Sequence, residues 1–144
     1  MFEMQHFEKV SYVDGHIRVE LDLKKYESRF ADAQLWLGEQ VLQGCRAVMP
    51  HSTGSLQQRS YVEDGGRRVV FPGPAARYLY MGFVMVDPVT RSAWAREGVR
   101  KVVTTKRLTY SDPEAVDHWF DEAKARNLDA WLNGTRNYIL TGGP

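Results

Sequence analysis

A single cysteine, Cys45, is all that the 144 residues contain, so an internal disulfide is excluded. No apolar run approaches the roughly 20 residues that a membrane-spanning helix needs. The first residues, with Glu3, Gln5, His6, Glu8 and Lys9, are too polar for a secretory leader. Charge of one sign is missing as well. The 19 Lys and Arg are matched by 18 Asp and Glu, which leaves no global field for a polyanion or an acidic lipid surface. The four histidines, His6, His16, His51 and His118, have no metal-ligand spacing to one another or to Cys45. There is no Walker or dinucleotide glycine pattern. Ser55 follows Gly54 without the second glycine of a nucleophile elbow. His51 and Ser52 are chain neighbours, which does not set them face to face as base and nucleophile. These absences predict a soluble, unexported protein with no cofactor, no metal, no membrane partner and no enzymatic activity.

What is present is material for one core. A hydrophobic fraction of 43% over this length predicts a single domain spanning residues 1–144. The organising stretch runs from Ser28 to Met49. Tyr26, Phe30, Ala33, Leu37, Val41, Cys45 and Val48 recur at three- and four-residue steps, and Leu35, Leu42 and Met49 widen the stripe. That period is an amphipathic helix, and Pro50 stops it. The stripe needs a partner, and a sheet of hairpins is the expected one. Asp14-Gly15 marks a first hairpin between Lys9 and Leu23, with Ile17, Val19, Leu21 and Leu23 alternating against polar residues. Asp64-Gly65-Gly66 marks a second, between extended segments at Leu56 to Val62 and Arg67 to Phe71. Pro74 suits a helix start and Gly82 a left-handed cap, which predicts a short helix of two turns between them. Phe83 to Val86 reads as extended.

From Asp87 to about Ser111 no regular apolar period is present. The segment carries Arg91, Arg96, Arg100, Lys101, Lys106 and Arg107, together with Trp94, Val99, Val102 and Val103. This predicts a projecting arm over residues 87–110, and arms of this length are commonly functional. Its cations could face solvent, nucleic acid or an acidic patch on another subunit. Ser111-Asp112-Pro113-Glu114 has the chemistry of a helix start. Ala115, Trp119, Phe120, Ala123, Leu128, Trp131 and Leu132 would line the following helix, with Asn133-Gly134 as its stop. Tyr78, Tyr80, Trp119 and Trp131 serve a core or an interface equally well by chemistry, core packing being the commoner use. The fold expected is therefore α+β: hairpin sheet, long helix, short middle helix, closing helix and arm.

Several of these elements together resemble a known family. Pro50 followed by Thr53-Gly54-Ser55-Leu56 is similar to the proline and Thr-Gly-x-Leu element of the minor capsid proteins of tailed phages. Ala75-Ala76-Arg77-Tyr78-Leu79-Tyr80-Met81-Gly82 resembles their Tyr-Ala-Arg-Tyr-x-Tyr-x-Gly segment, with Ala75 in place of the first tyrosine. Val84 to Pro88, the basic arm and Leu108 to Ser111 follow in the family's order. Trp119, Phe120, Lys124 and Trp131 then match its closing helix. Asp112-Pro113-Glu114 departs from the pattern, which often has a histidine there. The resemblance implies a head–tail joining, or tail-completion, protein of a long-tailed phage, assembled in the bacterial host cytoplasm and located in the virion neck. It implies a homo-oligomeric ring of six or twelve copies, six being usual. The ring would contact the head-closure (stopper) protein on one side and the tail terminator or tail tube on the other, and would allow non-specific contact with DNA in the channel. Tyr78, Tyr80 and the arm residues Arg91, Trp94, Arg96, Arg100, Lys101, Lys106 and Arg107 are the expected inter-subunit contacts. Pro50, Thr53, Gly54, Leu56, Arg77, Gly82, Trp119, Phe120, Lys124 and Trp131 are expected to be structural. The alternative from another class is a small nucleic-acid-binding domain that uses the basic arm.

Overall fold

The computed structural model describes residues 10–14, 17–21, 24–50 and 55–144. Thr53 and Gly54 of the sequence motif, with His51 and Ser52, lie outside the described residues. In chain order the elements are β1 (Val10–Asp14), β2 (Ile17–Leu21), α1 (Lys24–Val48), α2 (Ser55–Arg59), β3 (Tyr61–Glu63), β4 (Arg68–Val70), α3 (Pro74–Met81), β5 (Phe83–Val86), β6 (Val102–Arg107) and α4 (Trp119–Thr141). The class is α+β. Among the described residues the strands form three separate antiparallel pairs, β1–β2, β3–β4 and β5–β6, rather than one sheet of hairpins.

The main partner of α1 is α4, not a hairpin. The two helices run antiparallel. Arg29 near the start of α1 donates to the Leu140 carbonyl at the end of α4 at 2.8 Å. Val48 at the other end accepts from the Val116 amide at 2.9 Å, just before α4 begins. Small residues let the axes approach. An added Cβ at Gly134 would overlap the Trp36 ring, and one at Gly44 would sit 3.0 Å from the Trp131 ring. Gly134 is therefore a packing glycine inside α4, and the helix continues to Thr141. A glycine read in isolation resembles a stop; here the crossing indole takes the place of a side chain.

The core gathers Cys45, Val48, Met49, Leu56, Ala76, Trp119, Ala123 and Trp131, with Leu37, Val41, Phe71, Leu79, Tyr80 and Val116 packed against it. Pro50 is buried beside it. Tyr80 and Phe71 meet the Trp119 ring edge to face, at centroid distances of 4.7 and 5.5 Å. Tyr80 is partly buried and packs against this core. Of the residues assigned to the closing helix, Trp119, Ala123 and Trp131 are buried, whereas Phe120, Leu128 and Leu132 are exposed.

Two further local expectations are corrected. Residues 55–59 form α2 instead of a strand, because Leu56 turns into the core and its carbonyl accepts both the amide (3.0 Å) and the hydroxyl (2.6 Å) of Ser60. Ser111 to Glu114 does not begin α4. The Asp112 carboxylate accepts the Glu114 amide at 2.9 Å and its carbonyl the Ala115 amide at 3.1 Å, which closes a turn. Helix α4 starts seven residues past Asp112, at Trp119, after His118 in a left-handed conformation. The Asp64 to Gly66 turn is as expected, with Gly66 at φ 95 and no room for a Cβ against the Gln34 backbone of α1. So are α3 and its cap: Gly82 has φ 78 and ψ 22, and its amide donates to Tyr78 at 2.9 Å.

Candidate interaction surface

The projecting segment is a hairpin. Strand β5 pairs with β6 in the register Phe83↔Arg107, Met85↔Val103 and Val86↔Val102, with an irregularity between Phe83 and Met85. Among the described strands β6 pairs with β5 alone. Val102 and Val103 lie on β6, and Val99 lies in the loop before it.

Residues 87–101, between the strands, are organised by Asp87. Its side chain is completely buried. One carboxylate oxygen accepts the amides of Val89 (2.8 Å) and Thr90 (3.1 Å); the other accepts the Arg96 amide (3.2 Å) and its Nε (2.9 Å). The Asp87 amide donates to Ser92 at 2.8 Å and its carbonyl accepts from Arg91 at 3.0 Å. A buried carboxylate is tolerable only when its lone pairs are satisfied and its charge is matched, and here both conditions hold. The Arg96 guanidinium, helped by the Val89, Arg96 and Thr90 amides, holds the Asp87 carboxyl far below the usual carboxylate range, against a smaller opposing effect of burial. Asp87 in turn raises the Arg96 guanidinium. In the sequence Asp87 stands out only as the first residue of the arm. The usable signal was Asp before proline, since aspartate bonds the backbone two residues on.

The base of the hairpin is tied down separately. Arg107 pairs with Asp117 at 2.8 Å and lies 5.4 Å from the Phe83 centroid. The Tyr110 hydroxyl donates to the Leu79 carbonyl at 2.6 Å, and the Leu108 amide to the Gly82 carbonyl at 2.9 Å. Burial, then the Asp117 charge, push the Tyr110 phenol upward, with Arg107 opposing. Gly82 is required twice over, because a Cβ there would also lie 2.8 Å from Cβ of Asp117.

The expected contact residues therefore divide. Arg96 and Arg107 are committed to carboxylates within the chain. Lys101 lies 5.8 Å from the Tyr78 ring centroid, close enough for a cation–π contact. Arg91, Arg100 and Lys106 are exposed. Beside them stand Trp94, 85% exposed, Val89, 71%, and Val103, 62%. Arg77 is exposed and lines a shallow cleft with Phe71, Ala76, Tyr80, Met81 and Trp119. Lys124 is exposed on α4. No group of His, Cys, Asp and Glu among the described residues is arranged to hold a metal. None of the described helices is long and apolar enough to cross a membrane. No family model matches the chain, and neither a curated protein nor a solved structure matches it.

Proposed function

We propose that the chain is a structural connector of a long-tailed phage neck, a ring subunit between the head-closure protein and the tail terminator or tail tube. The observation that carries the reading is the β5–β6 hairpin, a firmly anchored projection that presents Trp94, Val89 and Val103 with Arg91 and Arg100 to the exterior. Exposed aromatic and aliphatic groups ringed by cations mark interaction surfaces. A subunit whose output is geometry needs such a projection on a stiff base. The order of the sequence motifs from Pro50 to Trp131 supports the same reading.

The test is a phage in which residues 88–101 are replaced by a two-residue turn. The expected result is a folded chain with unchanged helical circular dichroism, and lysates in which filled heads and finished tails accumulate unjoined under the electron microscope. Normal joining would refute the reading. A nucleic-acid-binding domain ranks second, because Asp87 and Asp117 neutralise Arg96 and Arg107. With two of the six arm cations paired within the chain, DNA affinity should be lower, and its decline with salt shallower, than six free cations would give.

A further inference from the structure

The hairpin has a complement on its own chain. Helix α4 buries Trp119, Ala123 and Trp131 against α1 and leaves a second apolar strip on the opposite side. Ala125, Leu128 and Leu132 follow one another at three- and four-residue steps, so they share a face. Leu128 is 39% and Leu132 55% exposed, and no described element covers them. Asp121 and Asp129 flank the strip, and Lys124 and Arg126 lie within its reach. Arg126 is matched by Glu122 at 2.8 Å, so Asp121 and Asp129 stand against Lys124 alone and leave the patch around Leu128 one charge negative. The hairpin tip has the opposite character, a bare indole and Val89 beside Arg91 and Arg100, with Glu97 as the exposed acid of the loop.

We infer that the hairpin tip of one copy docks on the outer face of α4 of a second copy. Trp94 covers Leu128 and Ala125, and Arg91 and Arg100 face Asp121 and Asp129. The inference rests on the ring-subunit reading and supplies the contact it lacks. Charge selects the occupant. Two hairpins presented to each other would oppose like charges, and two α4 faces would oppose their carboxylates, so the favourable pairing is hairpin to helix. The two patches are different surfaces, which makes the contact heterologous, and a heterologous contact closes into a ring when its rotation allows.

Cross-linking the full-length chain with a short bismaleimide tests this. Ala93→Cys, next to Trp94, and Leu132→Cys, one turn beyond Leu128, are prepared separately so that the contact residues stay in place, with the buried Cys45 as an internal control. Cross-linked dimer is expected from the mixture and from neither variant alone, and a ladder is expected when both substitutions share one chain. Reversing charge with Asp129→Arg should weaken self-association about tenfold or more, since like charges at a rim are strongly unfavourable. Adding Arg100→Glu to the same chain should restore it. Equal cross-linking of Ala93→Cys with itself would overturn the inference. So would a chain that stays monomeric at high concentration, or one with Asp129→Arg that associates normally. Each of those results leaves the connector reading standing if shortening the hairpin still leaves heads and tails unjoined. That reading fails on its own if the shortened chain joins them.

Discussion

At Asp87 one carboxylate replaces the hydrogen bonds that a 15-residue connection would otherwise draw from water, counting residues 87–101. Its folded-state pKa lies below its unfolded value, so the stabilisation is complete at neutral pH. It declines as pH falls below about 4, the value of a free carboxylate, towards the folded-state value. Thermal melts across an acid series should show this decline, and Asp87→Asn should be less stable at neutral pH with a flatter acid dependence. The same substitution should make the Arg91 and Arg100 bonds more open to brief trypsin digestion while the helices survive. Gly134 is the second decisive residue. Gly134→Ala forces a methyl into the Trp36 ring, an overpacking that costs about 1–3 kcal/mol and lowers the urea midpoint. Cys45 is inert by the same close packing. Burial pushes its thiol up to about 12, so a disulfide reagent should modify it only as fast as the chain unfolds.

Among the elements, those with local instructions were legible. The stripe in α1 follows in part from its apolar spacing: Ala33, Leu42, Cys45, Val48 and Met49 are buried, whereas Phe30 and Leu35 of the expected stripe are exposed. Pro74 and Gly82 bracket α3, and paired turn residues mark the hairpins. The start and inner face of α4 were not legible. Asp112-Pro113-Glu114 can open a helix or close a turn; the Val116 amide bonding to Val48 and the His118 amide to Tyr80 selected the turn. Phe120, Leu128 and Leu132 are as apolar as the residues that α4 buries, so hydrophobicity alone could not sort its two faces. The hairpin should behave as an independent element. Trp94→Ser, at a side chain 85% exposed, should leave the melting temperature within about 1 °C, since exposed substitutions rarely matter by more than about 0.5 kcal/mol, while impairing head–tail joining.

For the molecule as a whole, the antiparallel α1–α4 pair is the rigid frame, and the β5–β6 hairpin is attached to it through Asp117 and the Tyr110–Leu79 bond. Hydrogen exchange should follow that hierarchy, with the slowest amides around Cys45 in α1 and Ala123 in α4. Those of residues 88–101 should exchange earlier. The candidate surface was half legible. The basic, apolar character of 87–110 is written in adjacent residues, but the loss of Arg96 and Arg107 to internal pairs is not. The sequence by itself determined the class of fold, the period and end of the long helix, the turns and the chemistry of the arm, because each depends on residues within a few positions of one another. Only the tertiary structure decided that α1 lies on α4, that Gly134 makes room for Trp36, and that two arm cations are spent on buried or local acids. Those outcomes depend on which surfaces, distant along the chain, can approach without overlap and with every buried charge matched.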